Sequence, residues 1–178
     1  MPPVLIVPGL HNSGPDHWQS RWHRQHPHWQ RITGQPWQDP DLTIWSEQVA
    51  SWLRANTEPV HIIAHSFGTL ASLVAARRYP ERVASLFLVA PADPALLQID
   101  EQALSLPAAA PGVIVGSRND PWMSTDRLQH WQRVWNLPAL DAGAAGHINA
   151  ASGHGDWAEG LRWLTEYWQG LPVAQPAA

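Results

Sequence analysis

The feature that most constrains the fold is an alternation of short, β-branched runs with longer amphipathic segments along the chain. Such alternation favours βα units, in which helices cover both faces of a mostly parallel sheet. Six runs are interpreted as strands, at residues 4–7, 29–33, 60–64, 84–89, 112–116 and 139–141. Helical patterns occupy residues 16–25, 42–55, 67–77, 125–135 and 156–169. We therefore predict an α/β fold with a sheet of about six strands.

Two of the predicted helices show the apolar stripe of a helix that packs on one side only. Asp41 is expected to cap the helix at 42–55, because its side chain can accept from the free N–H groups of the first turn. The residues assigned to the stripes are Ile44, Val49, Trp52 and Leu53 in that helix, and Trp157, Leu161, Leu164 and Trp168 in the final helix.

The chain length is that of one domain. A chain of 178 residues can bury about 70% of its extended surface in one core without the help of a metal or a disulfide. We assign residues 1–171 to a single domain. Residues 172–178 contain prolines and no periodic pattern, and we expect them to be disordered.

Charge and composition indicate which partners and which cellular compartment the protein is expected to have. The net charge of −4 is spread along the chain, so we expect no basic surface for nucleic acid. The chain has no cysteine, which excludes a thiolate nucleophile and fits a reducing compartment. The first residues, MPPVLIVPGL, lack the basic region of a signal peptide, and their apolar run is too short to span a membrane. We expect a cytoplasmic protein that does not bind membranes.

Ser66 lies where the strand at 60–64 meets the helix at 67–77, in the stretch AHSFG. A strand that turns directly into a helix strains the junction residue and requires small residues two positions before and after it, here Ala64 and Gly68. This is the G-x-S-x-G nucleophile elbow with alanine in the first glycine position. The alternative is that Ser66 only caps the helix. We predict a nucleophile, because the N–H groups of the helix N-terminus favour negative charge at its side chain.

A nucleophilic serine needs a base to take its proton and an acid to orient that base. The elbow architecture expects them in the chain order serine, acid, histidine, each on a loop after a later strand. Asp120 follows the strand at 112–116, in SRNDPW, and is the predicted acid. Asp93 is a rival from the preceding loop, whereas Asp126 is better placed to cap or begin a helix.

The predicted base is His147, in the glycine-rich loop DAGAAGHINAASGHGDW that follows the last strand. A loop in this place can bring a histidine across the end of the sheet toward the serine. His154 lies on the same segment, but its position close to the final helix is explained by local structure.

Two backbone N–H groups are expected to form an oxyanion hole. Phe67, directly after the serine, supplies one donor, and Leu10 supplies the other from the loop after the first strand, where Gly9 permits a tight turn. Side chains expected to bind substrate are His11, His17, Trp18 and Trp122. Ordinary loop polarity, or helix capping by Ser13 or Asp16, remains the alternative explanation for the polar loop residues.

Taken together, these segments give the chain a family resemblance. It resembles the small serine hydrolases of the α/β-hydrolase superfamily that are grouped with the retinoblastoma-binding serine hydrolase and its bacterial YdeN-like relatives. The matching segments are VPGLHNSGPDHW, AHSFG, SRNDPW and GHINAASGHGDW, and the resemblance runs from about residue 4 to about residue 171. It implies a minimal hydrolase sheet without a large cap domain, and triad roles for Ser66, Asp120 and His147.

We therefore expect a serine hydrolase that cleaves small carboxylic esters through an acyl-enzyme, without a cofactor. No segment between the strands is long enough for a large lid, although residues 91–111 could form a small flap, so short acyl chains are favoured over triglycerides. The alternatives are an amidase or aminopeptidase-like hydrolase of small substrates, and a protein-interaction module with a vestigial site.

The abundance of histidine raises a metal site as a further hypothesis. The sets considered are His23, His26 and His28, or His11 and His17. The sequence contains no H-E-x-x-H pattern, and few carboxylates lie near these histidines. We therefore expect no metal.

Overall fold

The structure is a computed structural model that describes residues 2–170. The predicted tail at 172–178, and residue 171 at the end of the predicted domain, lie outside the described residues. The strands are β1 (Val4–Val7), β2 (Gln30–Arg31), β3 (Val60–His65), β4 (Val83–Val89), β5 (Gly112–Gly116) and β6 (Ala139–Asp141). The α-helices are α1 (Trp18–Gln25), α2 (Leu42–Ala55), α3 (Phe67–Arg78), α4 (Thr125–Trp135) and α5 (Ala158–Trp168).

The strands form one parallel sheet in the order β2-β1-β3-β4-β5-β6. β3 lies between β1 and β4, so Ile63 has Ile6 on one side and Phe87 on the other. Because all strands run in the same direction, their carboxyl ends lie along one edge of the sheet. The loops that follow β1, β3, β5 and β6 therefore meet at that edge, where ligands bind in open α/β sheets.

Two apolar layers cover the sheet, because successive residues of a strand point to opposite faces. In β3, Ile62 and Ala64 pack into one layer and Ile63 into the other. The first layer is completed by α2, α3 and α4, and the second by α1 and α5. Burial on both faces explains why the strands are apolar at nearly every position.

Tryptophan side chains fill much of both layers. Those that are fully buried are Trp18, Trp22, Trp45, Trp131, Trp135 and Trp163. The rings of Trp131 and Trp135 stack with centroids 5.2 Å apart in the first layer. In the second layer, Trp22 stacks on Trp157 at 5.6 Å. Each such ring buries a large apolar area, so these clusters contribute much of the stability of the fold.

The predicted α/β fold is confirmed, with differences at single positions. β2 has only two residues because it pairs with β1 alone at the edge of the sheet. The expected stripe of α2 was wrong at Ile44, which is 44% exposed, and Trp45 occupies the buried position instead. Asp41 caps α2 as expected, with Oδ1 2.9 Å from the N–H of Ile44.

The first and last helices also begin differently from the prediction. α1 is capped by His17, whose Nδ1 accepts from the N–H of Gln19, and not by Ser13 or Asp16. α5 begins at Ala158 after Trp157, which has a left-handed backbone. Of the predicted stripe of α5, Leu161 and Trp168 are only partly buried, and Trp163 fills the core. The remaining members of that stripe are buried as predicted.

Within residues 2–170, no segment forms a cap domain over the carboxyl edge of the sheet. The connection at 91–111 between β4 and β5 contains one short 3-10 helix, Glu101–Leu104. None of the helices in the described part of the chain is both long and apolar enough to cross a bilayer.

Candidate active site

Ser66 sits on a strained turn between β3 and α3. Its φ and ψ are 53° and −125°, a conformation that costs a residue with a side chain on the order of 1–3 kcal/mol. A side chain at Gly68 would place a Cβ 2.3 Å from the carbonyl oxygen of Pro8 and 2.6 Å from that of Val7. The elbow therefore requires glycine at position 68. Ser66 makes no side-chain capping bond to α3, so the capping alternative finds no support.

The three predicted polar side chains meet above the carboxyl edge. His147 Nε2 lies 2.8 Å from Ser66 Oγ, and His147 Nδ1 lies 2.9 Å from both Oδ1 and Oδ2 of Asp120. The side chains of His147 and Asp120 are 11% and 2% exposed. The N–H of Trp122 donates to Asp120 Oδ1 at 2.8 Å, which fixes the carboxylate. The result is an unbroken hydrogen-bonded line from Asp120 to Ser66.

Asp93, the rival acid, has a different set of partners. Its carboxylate accepts two hydrogen bonds from Arg127, at 2.9 Å and 2.8 Å. Burial acts to raise the pKa of Asp93, but the bonds and charge of Arg127, together with the bond from the N–H of Ala95, hold that pKa below its usual value. Arg127 also pairs with Glu101, so the network ties the segment at 91–111 to α4. Asp93 therefore supports the wall of the site and does not contact His147.

Two side chains hold the backbone on which His147 is mounted. His65 Nε2 lies 2.9 Å from the carbonyl oxygen of His147, and the indole N–H of Trp18 donates to the carbonyl of Ile148 at 2.8 Å. The ring centroids of His65 and His147 are 4.9 Å apart. His65 was not among the predicted site residues, although its place directly before Ser66 indicates that it lies at the site. The expectation that Trp18 binds substrate was wrong, because its ring is fully buried between α1 and α5.

The histidines behind His147 are uncharged. Burial, reinforced by Arg31 and His147, lowers the pKa of His17 from 6.5 to about 3. Burial and the neighbouring His17 also lower the pKa of His65 well below its usual value. The two rings meet edge to face at 4.7 Å. The base therefore has neutral neighbours that do not compete with it for a proton near neutral pH.

Leu10 and Phe67 lie where an oxyanion hole is expected, on the loop after β1 and at the first residue of α3. Among residues 2–170, no protein acceptor is bonded to either N–H, so both remain available to a ligand. The loop passes directly over the serine, since a Cβ at Gly9 would lie 2.8 Å from Ser66 Cβ. Gly9 is required by this close approach. The tight turn follows it, at His11 and Asn12, whose φ values are 63° and 62°.

A cavity of about 280 Å³ opens at Ser66 and His147. The predicted substrate residues His11, His17 and Trp122 all line it, and Trp18 does not. The other lining residues are Leu10, Asn12, His65, Ala92, Leu97 and Asn149. A larger cleft of about 440 Å³ lies between α4 and β6, but it contains neither Ser66 nor His147. We place the candidate site in the smaller cavity, because the hydroxyl of Ser66 and the imidazole of His147 meet there.

The remaining histidines have local roles. His154 Nδ1 lies 3.0 Å from Ser152 Oγ, as expected for a residue of the loop that leads into α5. His26 stacks on Trp29 with centroids 4.3 Å apart and meets His28 edge to face at 6.0 Å. Within the described part of the chain, no group of three His, Asp or Glu side chains is arranged to hold a metal ion.

This fold and site define a class, the α/β-hydrolases with a serine on a nucleophile elbow. The sequence matches the family model described as serine hydrolase over residues 4–166. The chain therefore belongs to the serine hydrolase family, and the predicted resemblance is confirmed. No curated protein matches the chain.

Solved structures extend this relationship. A protein of Pectobacterium atrosepticum described as a YdeN-like hydrolase is 41% identical, with a TM-score of 0.88, over 96% of this chain and 92% of that one. The ydeN gene product of B. subtilis is 19% identical, with a TM-score of 0.70, over 95% of this chain and 100% of that one. A hydrolase of the α/β superfamily from Xanthomonas campestris is 18% identical, with a TM-score of 0.67, over 96% and 100%. The last two comparisons show the fold alone.

Proposed function

We propose that this serine hydrolase cleaves small carboxylic esters, with Ser66 as nucleophile, His147 as general base and acid, and Asp120 as the residue that orients His147. The observation that carries the proposal is the hydrogen-bonded line in which His147 lies 2.8 Å from Ser66 Oγ and 2.9 Å from Asp120. A serine hydroxyl becomes an effective nucleophile only when such a base takes its proton. A cytoplasmic location and the absence of a cofactor remain predictions.

The reaction proceeds in two halves. Ser66 Oγ attacks the acyl carbon while its proton moves to His147 Nε2, and the N–H groups of Leu10 and Phe67 stabilise the oxyanion. His147 then donates that proton to the leaving alkoxide, which departs as the alcohol. A water gives a proton to His147 and attacks the acyl carbon, and collapse of this second intermediate returns the proton to Ser66 and releases the carboxylic acid. Throughout, Asp120 holds Nδ1–H of His147 and stabilises the imidazolium.

The cavity favours small substrates. A volume of about 280 Å³ is just below the usual range of ligand sites, and the apolar part of the wall comes from Leu10, Ala92, Leu97 and Trp122. Trp122 is 44% exposed, so one side of the cavity is open to water. These features suit an ester with a short acyl chain and a small alcohol group better than an ester of a long lipid.

Charge at the site favours neutral esters over aminoacyl amides. An aminopeptidase-like enzyme needs a carboxylate to pair with the α-ammonium group of its substrate. Among the described residues that line the cavity, none is acidic, and Asp120 beneath them is already paired with His147. The amidase alternative therefore has less support. The vestigial alternative is disfavoured because a site without catalytic use does not need an ordered line of three groups.

A panel of p-nitrophenyl esters from acetate to palmitate, together with aminoacyl p-nitroanilides, tests the proposal. Wild type should hydrolyse acetate and butyrate esters fastest, and Ser66→Ala should reduce kcat at least about 10³-fold. Ser85→Ala is the matched control, since Ser85 is also buried but bonds to His61 on β3, within the sheet. Equal rates for wild type and Ser66→Ala would contradict the assignment of Ser66 as the nucleophile. Faster cleavage of the palmitate ester or of the anilides than of the short esters would contradict the proposed substrate class.

A further inference from the structure

The loop after β1 carries unusual strain next to the proposed oxyanion hole. His11 and Asn12 are consecutive and both left-handed, with φ of 63° and 62°, although neither is glycine. Each such residue costs on the order of 1–3 kcal/mol and persists only where neighbouring structure enforces it. The strained pair directly follows Leu10, which lines the cavity at Ser66, so it helps to fix the path of the loop at that point.

Arg31, at the end of β2, makes several of the hydrogen bonds that hold the loop in this conformation. Its Nη2 donates to Asn12 Oδ1 at 2.5 Å and to the carbonyl oxygen of Ser13 at 2.8 Å, and its Nη1 donates to Ser20 Oγ at 2.8 Å. Asn12 Oδ1 also accepts from the N–H of Ser13 at 2.7 Å. The guanidinium thus links the strained turn to α1 and to the edge of the sheet.

The partners of Arg31 are unusual for a partly buried cation. Among residues 2–170, no carboxylate forms an ion pair with it, and its donors go to neutral oxygens. Burial lowers the pKa of Arg31, which means that the loss of water destabilises the charged form of its guanidinium. Arg31 also acts on a residue that lines the cavity, because its charge adds to the effect of burial in lowering the pKa of His17.

We propose that Arg31 is a positioning residue for the oxyanion hole, which holds Asn12 and Ser13 so that the N–H of Leu10 points at the oxygen of the tetrahedral intermediate. It acts on the transition state through Leu10 and does not touch the substrate. The inference rests on the proposed function, since an oxyanion hole matters only if Ser66 attacks a carbonyl.

The test compares Arg31→Met, Arg31→Lys and the charge-matched control Arg162→Met, whose arginine is exposed on α5 and forms ion pairs with Glu159 and Glu166. Arg31→Met should lower kcat on p-nitrophenyl acetate about 10–100-fold with little change in KM, less than the loss of a whole oxyanion donor. Arg31→Lys, which keeps the charge and a donor, should recover part of the rate. The affinity for a small trifluoromethyl ketone, whose adduct with Ser66 places an oxyanion in the hole, should fall by the same factor as kcat/KM.

Three results would overturn this inference while leaving the proposed function intact. They are an unchanged kcat in a folded Arg31→Met, an equal loss in Arg162→Met, and a lower kcat with unchanged affinity for the ketone. If Arg31→Met fails to fold, the comparison is made with Arg31→Lys, and full activity and ketone affinity in that variant count against the proposal. If wild type shows no activity that depends on Ser66, both proposals fail together.

Discussion

Asp93 and Asp120 were both candidates for the acid that orients His147, and the two carboxylates differ in the side chains that they face. Asp120 is 2% exposed at its side chain and faces His147, whereas Asp93 is 7% exposed and faces Arg127. The guanidinium of Arg127 already balances the charge of Asp93 and fixes its carboxylate in a bidentate pair, so this carboxylate is not free to turn toward an imidazole. These surroundings support the proposal that Asp120, and not Asp93, is the acid that orients His147.

We expect Asp120→Asn to lower kcat on short esters by about 10³–10⁴-fold, since an amide stabilises the wrong tautomer of His147 and gives no support to the imidazolium. Asp93→Asn should change kcat less than about tenfold but lower the free energy of unfolding by about 1–3 kcal/mol, because it breaks the pair with Arg127. Steady-state kinetics and urea unfolding of both variants check this. The reverse pattern, in which Asp93→Asn inactivates and Asp120→Asn does not, would contradict the assignment.

At the scale of single residues, the sequence predicted site residues where a chemically suitable side chain also stood at the expected place in the chain order. Ser66, Asp120 and His147 were predictable because each follows a strand in the order that the elbow architecture requires. The role of Trp18 was not predictable, because its bond to the carbonyl of Ile148 joins residues 130 positions apart, whereas His65 could have been placed at the site by its position directly before Ser66. Which face of α1 is buried, and so whether Trp18 lines a cavity, depends on packing with α5 that no local pattern encodes.

The junction of β3 with α3 depends on glycines whose importance comes from close contacts. Gly68 packs against the carbonyl oxygens of Pro8 and Val7, and Gly9 packs against Ser66. The loop after β1 and the start of α3 are thus in backbone contact. This contact brings the loop that contains Leu10 close to the start of α3, where Phe67 lies.

We expect Gly68→Ala to lower the free energy of unfolding by about 3 kcal/mol and kcat by at least about 100-fold, because backbone atoms cannot move aside for a Cβ that would lie 2.3 Å away. Gly14→Ala is the matched control, since a Cβ there meets nothing within 4 Å. Chemical unfolding and ester kinetics of the two variants decide the point. If the Gly68 and Gly14 variants behaved alike, the elbow would be looser than described.

The elements themselves were mostly predictable, because strands buried on both faces stand out as apolar runs and helices show a regular period. Two details of the elements differ from the prediction. β2 is two residues long and pairs with β1 alone, and the extent of this pairing could not be read from the sequence of β2. The buried stripe of α2 includes Trp45 in place of Ile44, because Trp45, Val49 and Leu53 recur every four residues on one face of the helix.

At the scale of the whole molecule, the layer that contains α1 and α5 also carries two uncharged histidines. His17 has a pKa lowered from 6.5 to about 3, and His65 shifts in the same direction. An unfolded chain takes up a proton at each of these positions below about pH 6.5, whereas the folded protein does not. The stability that the neutral rings confer is therefore complete above pH 6.5 and is lost as the pH falls toward 3.

The free energy of unfolding should thus decrease between pH 7 and pH 5 by about 2 kcal/mol for His17, at about 1.4 kcal/mol per pH unit below pH 6.5, and further for His65. Urea unfolding at pH 7, 6 and 5 measures it. His17→Gln removes one titrating group, so the decrease in the free energy of unfolding between pH 7 and pH 5 should be about 2 kcal/mol smaller in this variant. A stability that is flat over this range, or a slope that His17→Gln leaves unchanged, would show that these histidines become protonated in the folded protein.

The central claim is that Ser66 is an activated nucleophile. The most direct measurement is the intact mass of the protein after reaction with a small fluorophosphonate, followed by peptide mapping. Wild type should gain one adduct, mapped to Ser66, whereas Ser66→Ala should gain none and His147→Ala should react at least about 100-fold more slowly. A wild-type protein that stays unlabelled, or a Ser66→Ala variant that is labelled at the wild-type rate, would contradict the claim.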